Sequence, residues 1–360
     1  MVGKRMAAGV AAVAMAALAS MALAAPAVGG VRVTVTPERA TLGKSDEVAV
    51  VVTMTNTSPV TQYLLKWQTP FGAVEAPLFD VTRDGQPVPY LGRMVKRAPP
   101  APGDYIALAP GASRSVRVAL SALYRMDVTG AYSIRYRDGV LQLFSKPAGA
   151  NAASNTTASA LAQAAQPASV WIDGRLARGM AAPEPLPQGG AGLGFSQCST
   201  PQQQTVTEAF KAAQAMAQDA GTYLQGAQGP RYSSWFGAVD ATRTATVTRH
   251  FTAIREAFAG KPVTVDCGCR EDYYAYVYPN QPYKIYVCNA FWSAPMTGTD
   301  SKGGTLVHEM SHFTVVAGTD DWAYGHEAAA ALAAGNPERA IDNADSHEYF
   351  GENTPHLDLR

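Results

Sequence analysis

Two histidines and a glutamate near the C-terminal end of the chain have the spacing of a metal site. They are His308, Glu309 and His312, in the sequence HEMSH. On a helix, positions i and i+4 lie on one face about one turn apart, so both imidazoles can reach a single Zn²⁺. Glu309 can then take a proton from the attacking water. The motif indicates metal-assisted hydrolysis, although by itself it also fits an amphipathic helix with two surface histidines.

The distribution of histidine favours the metal site. All six histidines lie beyond residue 249, and five of them lie within the last 53 residues. The flanking residues predict the helix that must position the motif, with an entry turn at residues 303–305 followed by an apolar stripe. The stripe consists of Leu306, Val307, Met310, Phe313 and Thr314.

The third metal ligand has two candidates. A metzincin would need glycine and histidine at the positions of Val315 and Gly318, which excludes that class. Glu338, with Asp342 four residues on, has the spacing of a gluzincin ligand. Asp321 follows Gly318, a residue that can turn the chain back toward the metal. Three protein ligands would leave the fourth position of zinc for water.

HEMSH followed by GTDDWAYG resembles the paired signature of the aspzincin family, whose second motif is G-T-x-D-x-x-Y-G. This family comprises the deuterolysins and the peptidyl-Lys metalloendopeptidases, and the resemblance is closer to the peptidyl-Lys branch. It extends from about Cys198 to the C-terminus. It implies that His308, His312 and Asp321 bind one Zn²⁺, which favours Asp321 over Glu338.

The same resemblance implies roles for two further residues. Glu309 would be the general base and proton shuttle, and Tyr324 would donate a hydrogen bond to the oxyanion of the tetrahedral intermediate. Asp320 is expected to be solvated or to cap the next helix, and His326 to lie at the surface with a possible role behind the ligands.

A segment near the C-terminus is a candidate for substrate specificity. Residues 337–350 predict one helix with proline in its first turn. Asp345 and Glu348 are i, i+3 neighbours, so their carboxylates point the same way. This pair is either a solvated acidic face or, as the resemblance implies, the pocket for a substrate lysine on the leaving-group side of the cut.

Four cysteines, Cys198, Cys267, Cys269 and Cys288, predict two disulfides in an exported protein. Cys267 and Cys269 are separated by one glycine and are poorly placed to bond each other, which leaves two pairings. The family resemblance favours Cys198–Cys267 and Cys269–Cys288.

The N-terminal end predicts export. Lys4 and Arg5 precede an apolar run at about residues 6–21, and Ala-Leu-Ala at 22–24 offers a cleavage site. This pattern is typical of a secretory signal peptide at residues 1–24. No other stretch approaches 18 uninterrupted apolar residues, so we expect a secreted, extracellular protein without a membrane segment.

A length of 360 residues suggests two domains. Short alternating segments predict an immunoglobulin-like β-sandwich at residues 25–178. These segments are 31–35, 48–54, 113–118, 132–136 and a last strand at 170–172. An Ala/Asn/Ser/Thr/Gln-rich stretch at 147–169 predicts a mobile loop. The passages YLLKWQTPFG and GRMVKRAPP resemble the segment that precedes the catalytic unit in bacterial members of the family, and no chemistry is expected of them.

The catalytic domain is predicted at residues 195–360, mainly helical and zincin-like, with a small antiparallel sheet. Helices are expected at 201–225 and 241–259, and strands within 273–288 around a turn at Pro279-Asn280. A strand edge beside the zinc helix would let an extended substrate pair its backbone.

Residues 179–194 predict a processing linker between the domains. The chain has no lysine between Lys146 and Lys211, so an enzyme that cuts before lysine would not trim itself there. Another protease would act near Arg175 or Arg178. Residues 1–193 carry 18 Lys+Arg and 11 Asp+Glu, and residues 194–360 carry 11 and 18, so the halves should attract each other.

These features predict a secreted zinc endopeptidase, made as a precursor, that cuts on the amino side of lysine. One alternative is a broad-specificity deuterolysin-like peptidase. Another is an inactive peptidase-like binding protein in which the β-sandwich carries the function. The expected partners are protein and peptide substrates and the pro-domain of the same chain, with no nucleic acid and no membrane, and a monomeric state.

Overall fold

The structure, a computed structural model, describes residues 30–147, 162–163, 167–180 and 190–357. The predicted signal peptide lies outside these residues, as do most of the predicted mobile loop and positions 181–189 of the predicted linker. Within the described ranges, no helix is both long and apolar enough to cross a bilayer.

The N-terminal region, residues 30–180, is rich in strands. In chain order they are β1 Val31–Pro37, β2 Thr41–Leu42, β3 Ala49–Asn56, β4 Gln62–Leu65, β5 Phe79–Arg83, β6 Gln86–Pro87, β7 Met94–Lys96, β8 Tyr105–Leu108, β9 Ser113–Ala119, β10 Gly130–Tyr136, β11 Leu143–Phe144, β12 Ala162–Gln163 and β13 Ala168–Ile172. Three sheets contain twelve of them, in the orders β12-β1-β3-β9, β2-β13-β10-β5-β6 and β11-β4-β8.

Alternating side chains explain why these segments form sheets. In β1 and β10 every second residue is buried, and the buried residues join one apolar core with those of β3 and β13. β3 pairs antiparallel with β1 and β9, and β13 pairs antiparallel with β10. The five predicted strands are confirmed, including the last one at 170–172. The immunoglobulin-like type of the fold stays a prediction.

The C-terminal region, residues 190–357, is mainly helical and has its own core. Its helices are α1 Thr200–Tyr223, α2 Pro230–Phe236, α3 Ala241–Gly260, α4 Asn289–Ser293, α5 Lys302–His312, α6 His326–Gly335, α7 Pro337–Ala340 and α8 Ala344–Glu352. Its strands are β14 Gly192–Ser196, β15 Pro262–Asp266, β16 Ala275–Val277 and β17 Lys284–Val287. The predicted helices near 201–225 and 241–259 are therefore confirmed. Asp240 caps α3 by accepting hydrogen bonds from two backbone N–H groups of its first turn.

The sheet of the C-terminal region has the order β14-β15-β17-β16-β7 and is mixed, not antiparallel as predicted. β15 runs parallel to β14 and β17, whereas β16 is antiparallel to β17 and β7. Helices α1 to α3 lie between β14 and β15 in the chain, and such a crossover returns the chain so that the second strand runs parallel to the first. The fifth strand, β7, comes from the N-terminal region.

Both disulfides implied by the family resemblance are present, Cys198–Cys267 and Cys269–Cys288. The first joins the residues that follow β14 and β15, and the second joins the stretch after β15 to the end of β17. The first closes a loop with a sequence separation of 69 residues, which stabilises the fold by about 4 kcal/mol in the chain-entropy model.

Candidate active site

Helix α5 carries the HEMSH sequence and is enclosed on all sides. Ser301 caps it by accepting a hydrogen bond from the N–H of Gly304 at 2.9 Å, and every residue of the helix is buried. Helices α1 and α8 pack against it. The predicted entry turn at 303–305 is wrong, because these residues form the first turn of the helix itself. The helix ends at His312, so Phe313 and Thr314 of the predicted stripe lie beyond it.

The two glycines of that first turn allow the neighbouring helices to approach. A Cβ atom at Gly303 would lie 2.9 Å from Cβ of Ala212 in α1. A Cβ atom at Gly304 would lie 2.1 Å from a carboxylate oxygen of Glu352 in α8. Both distances are shorter than a van der Waals contact, so packing, and not a turn, requires glycine there.

The second motif returns the chain to the end of α5. Gly318 has φ +65°, which favours glycine, and its N–H donates to the Phe313 carbonyl at 3.1 Å. The following Thr319 carbonyl lies 2.7 Å from His312 Nδ1. That nitrogen must carry the proton to donate, which leaves the lone pair of His312 on Nε2 for a metal.

Three ligand atoms from the two motifs converge. Nε2 of His308 lies 3.1 Å from Nε2 of His312. Oδ1 of Asp321 lies 3.2 Å from the first of these nitrogens and 3.4 Å from the second. Ligands bonded at 2.0–2.1 Å to a tetrahedral Zn²⁺ are about 3.3 Å apart, so this triangle has the size of one face of such a site.

The chemistry of the three groups also fits a zinc ion. Their side chains are buried, and no hydrogen bond within the described ranges reaches either carboxylate oxygen of Asp321. Burial by itself would raise the pKa of Asp321, but His312 and His308 hold it well below its usual range. Two imidazoles and one carboxylate are a frequent donor set of catalytic zinc, and an ion would satisfy the buried oxygens.

The gluzincin alternative does not form. Glu338 is exposed and pairs with Arg243 at 2.9 Å, and Asp342 accepts a hydrogen bond from Trp322 Nε1 at 2.9 Å. The prediction that Asp320 is solvated or caps the next helix is wrong. Asp320 pairs with Arg137 of the N-terminal region, and both side chains are mostly buried.

Glu309 is fully buried beside the predicted metal ligands, and neither of its carboxylate oxygens has a hydrogen bond within the described residues. Burial raises its pKa to about 7, although His308 and His312 oppose the shift. A carboxyl group with this pKa can both accept and release a proton near neutral pH.

Tyr324, the other predicted catalytic residue, is buried beside the predicted metal ligand Asp321. Burial, with the charge of Asp321, raises its pKa well above the usual value, so the phenol stays protonated and able to donate. Its ring makes an edge contact with Trp67 of the N-terminal region, with 5.9 Å between centroids.

Asp345 and Glu348 share one enclosed pocket on α8, and both are completely buried. The pocket contains the ammonium of Lys96, whose Nζ lies 2.5 Å from Glu348 Oε2 and 3.4 Å from Asp345 Oδ1. Oδ1 of Asp300 lies 3.6 Å from the same nitrogen.

Asp345 also faces the predicted metal ligands. Its Oδ1 is 2.8 Å from Nδ1 of His308, and its Oδ2 accepts a hydrogen bond from Gly325 N at 2.6 Å. A carboxylate behind a ligand histidine orients the ring and raises its basicity. Asp345 therefore both lines the pocket that holds the Lys96 ammonium and contacts the ring of His308.

Two predictions about neighbouring residues need correction. The single helix expected at 337–350 is two helices, α7 and α8, because the chain turns at Asp342 and Asn343. The Asn343 side chain accepts hydrogen bonds from the N–H groups of Trp322 and Ala323, which ties this turn to the second motif. His326 starts α6 and packs against the rings of Trp235 and Tyr349, so it is not a plain surface residue.

Lys96 and Asp300 are the residues of the site that sequence reasoning missed. Lys96 stands in the passage GRMVKRAPP, from which no chemistry was expected. The available signal was a lysine in the N-terminal region of an enzyme predicted to recognise lysine. Nothing in the local sequence distinguishes Asp300 from other surface carboxylates.

The comparisons with known proteins agree with this geometry. The family model Aspzincin_M35, described as lysine-specific metallo-endopeptidase, matches residues 222–352. The chain is 46% identical over 320 residues to an "Extracellular protease" of Aeromonas hydrophila, which covers 87% of this chain and 90% of the relative. It is 38% identical over 319 residues to a "Peptidyl-Lys metalloendopeptidase" of Armillaria mellea, covering 85% of this chain and 87% of the relative.

A solved structure, a zinc peptidase from Grifola frondosa, is 46% identical and has a TM-score of 0.43; the match covers 44% of this chain and 99% of that one. Identity of 46% across 90% of a relative, together with the family model at the two motifs, is far beyond a chance likeness. The chain therefore belongs to the aspzincin family and is a zinc metalloendopeptidase, a hydrolase that acts on proteins or peptides.

Proposed function

We propose that this enzyme is exported as a precursor and, once processed, hydrolyses peptide bonds on the amino side of lysine. The observation that carries the proposal is the enclosed pocket of Asp345 and Glu348, which holds a lysine ammonium at salt-bridge distance. Because Asp345 also contacts His308, the pocket adjoins the hydrolytic residues. A substrate lysine bound there would have its backbone beside them.

Each residue of the site has a task in this reaction. His308, His312 and Asp321 would hold the Zn²⁺, which when bound polarises the scissile carbonyl and activates water. Glu309 would take the proton of the attacking water and deliver it to the leaving amine of lysine. Tyr324 would donate a hydrogen bond to the carbonyl oxygen as negative charge develops on it.

Export and processing are part of the same proposal. The signal peptide would be residues 1–24, an immunoglobulin-like pro-domain residues 25–178, the processing linker residues 179–194, and the catalytic domain residues 195–360. Export is supported by the name of one relative, an extracellular protease, and the similarity to it spans both regions of the chain. Arg178 is exposed, which suits cleavage by another protease near this residue.

Mapping of cleavage sites tests the proposal. The processed enzyme is incubated with an unfolded protein, with and without a zinc chelator, and the new termini are identified by mass spectrometry. We expect lysine at the new N-termini and no cuts with chelator. Asp345→Ala and Glu348→Ala variants should lose the preference for lysine. Cuts before many residue types would favour the deuterolysin-like alternative, and no chelator-sensitive cutting would favour the inactive binding protein.

A further inference from the structure

Strand β7 of the N-terminal region pairs with the sheet β14-β15-β17-β16 of the C-terminal region, here called the catalytic sheet, as an extended peptide would. It pairs antiparallel with the edge strand β16, with Lys96 opposite Ala275 and Met94 opposite Val277. The N–H of Tyr274 donates to the Lys96 carbonyl at 3.1 Å. Addition of a strand to a sheet edge is a general mode of peptide binding, in which the backbone supplies affinity and the side-chain pockets supply specificity.

The side chain of Lys96 is the most unusual feature of this strand. It is fully buried, and its ammonium contacts the carboxylates of Asp345, Glu348 and Asp300. Two aromatic rings line the same space, Tyr274 with its centroid 5.2 Å from Nζ and Tyr349 with its centroid 5.8 Å away. A buried ammonium is tolerated only when carboxylates or similar partners compensate its charge, so the pocket is built for a lysine side chain.

Further contacts hold the chain on both sides of β7. Arg93 and Arg97 both pair with Glu75, which also accepts a hydrogen bond from the Tyr273 hydroxyl at 3.0 Å. Beyond Arg97 the chain passes the second motif. A Cβ atom at Gly325 would lie only 2.6 Å from Cγ of Pro99. The N-terminal region therefore crosses the site from the sheet edge to the loop that carries Asp321.

We propose that Met94–Lys96 occupies the substrate position of the precursor, with Lys96 in the place of the substrate lysine, and that this contact closes the enzyme to lysine-containing peptides. The proposal rests on the proposed function, because it takes the pocket of Asp345 and Glu348 to be the lysine pocket. Its consequence is that removal of the N-terminal region frees both the sheet edge and the pocket.

The first experiment tests access. Intact precursor, checked by gel for an uncut N-terminal region, is assayed for its initial rate on a fluorogenic peptide with one lysine. Lys96→Ala should weaken the hold of β7 and raise this rate at least ten-fold over the unchanged precursor. Lys66→Ala, at an exposed lysine of the same region, is the matched control and should leave the rate unchanged. Equal rates for the Lys96→Ala and unchanged precursors would overturn the proposal.

The second experiment tests the pocket without an activity readout. In a Glu309→Gln background, which prevents self-digestion, the melting temperature of the Lys96→Ala precursor is measured with n-butylammonium chloride or with butanol. The amine should fill the vacated pocket and raise the melting temperature saturably. Butanol should not do so, and the precursor that keeps Lys96 should not respond to the amine. A Lys96→Ala protein that responds equally to both additives contradicts an ammonium pocket.

A variant that keeps the volume of the side chain covers the case in which Lys96→Ala does not fold. Lys96→Met removes the charge and retains the length, and it should also raise the initial rate of the intact precursor. The cleavage map of the processed enzyme separates two failures. Cuts that do not precede lysine reject the proposed function. If the processed enzyme cuts before lysine but the Lys96 variants behave like the unchanged precursor, only the proposal that β7 occupies the substrate position is rejected.

Discussion

At the residue scale, the carboxylates around the active site differ in what surrounds them. Asp321 is buried against two imidazoles, Glu309 is buried without a hydrogen bond among the described residues, and Asp345 is buried between His308 and an ammonium. These surroundings suit a metal ligand, a proton acceptor and a charge partner, respectively, because burial, imidazole and ammonium act differently on an ionised carboxylate.

Tyr324 is predicted to act on the developing oxyanion. Tyr324→Phe removes only the hydroxyl, so we expect kcat to fall about 100-fold with little change in KM, as for the loss of one oxyanion donor. The measurement is steady-state hydrolysis of a lysine peptide by the processed enzyme, with zinc content determined in parallel. Near-normal kcat in a fully zinc-loaded variant would exclude this role.

Asp300 is predicted to contribute to lysine binding. Its side chain is 27% exposed and lies 3.6 Å from the Lys96 ammonium, so solvent weakens its effect. Asparagine tolerates the left-handed backbone of this position, where φ is 53°. Asp300→Asn should lower kcat/KM for a lysine peptide about three- to ten-fold, equivalent to about 1 kcal/mol. Asp272→Asn, at an exposed carboxylate of the same region, is the control; an equal loss in both variants would argue against a specific role.

At the scale of elements, helix α5 positions the site because α1 and α8 enclose it. The close approach depends on small residues at the start of the helix and on polar contacts at the end of α8. Glu352 accepts hydrogen bonds from Ser301 N and from the Ser301 hydroxyl, at 2.8 and 2.7 Å. The same serine caps α5, so the cap and the end of α8 form one unit.

Gly304→Ala tests this packing. The new methyl group would displace the Glu352 carboxylate from its hydrogen bonds, so we expect a loss of about 1–3 kcal/mol of unfolding free energy. Urea denaturation of the Glu309→Gln precursor measures it. Gly335→Ala is the matched control, because among the described residues no atom beyond its chain neighbours and its own helix backbone lies within 4 Å of the added Cβ. Its stability should be unchanged or slightly higher. Equal midpoints for both variants would disprove the tight approach of α8.

The contact between α3 and α8 predicts a dependence of stability on pH. His250 Nδ1 lies 3.0 Å from His347 Nε2. Burial lowers the pKa of His250 to about 4 and that of His347 to about 3, from 6.5 in an exposed histidine. At pH values between about 4 and 6.5, both rings stay neutral in the folded protein, whereas the same histidines bind protons in the unfolded chain. Their contribution to stability is thus complete above pH 6.5 and is lost as the pH falls toward 4 for His250 and toward 3 for His347.

His347→Phe removes one of these titrating groups. The pH dependence of the unfolding free energy between pH 6 and 4 should become shallower by about 1.4 kcal/mol per pH unit. Urea midpoints are compared at several pH values with chelator present throughout, so that metal release does not contribute. Parallel stability curves for the two proteins would refute the assignment.

At the scale of the whole molecule, the N-terminal and C-terminal regions are joined by strand pairing, an ion pair and a ring contact. β7 extends the sheet of the C-terminal region, Arg137 pairs with Asp320 beside the predicted metal ligand Asp321, and Trp67 packs against Tyr324. The opposite net charges of the two halves, +7 and −7 from the residue counts, are consistent with these contacts, since opposite charge favours association.

Glu75 is predicted to fasten the N-terminal region to the catalytic sheet. Glu75→Gln leaves Arg93 and Arg97 without their carboxylate, which should cost about 3 kcal/mol of precursor stability and speed the removal of the N-terminal region. Limited proteolysis and urea denaturation of the Glu309→Gln precursor measure both effects. Glu38→Gln, at an exposed glutamate that pairs with Arg117, is the control, and similar behaviour of the two variants would contradict the prediction.

The sequence by itself determined what depends on local spacing. The i, i+4 histidines, the turn at Gly318 and the i, i+3 carboxylates of α8 act over one or two turns of chain, so their residue types predict their geometry. The alternation of β1, β3, β9, β10 and β13 predicted strands for the same reason. The disulfide pairing and the choice of Asp321 over Glu338 came from family resemblance, because spacing alone left alternatives open.

Only the tertiary structure decided which distant residues meet. Lys96 is 249 residues from Asp345 in the chain, and a pairing of strands across two regions brings them together. Pairing at a sheet edge uses the backbone N–H and C=O groups, which nearly every residue carries, so the side-chain pattern does not predict it. The burial that raises the pKa of Glu309 likewise depends on how the helices pack around it. The mixed strand directions of the catalytic sheet depend on the helical crossover between β14 and β15.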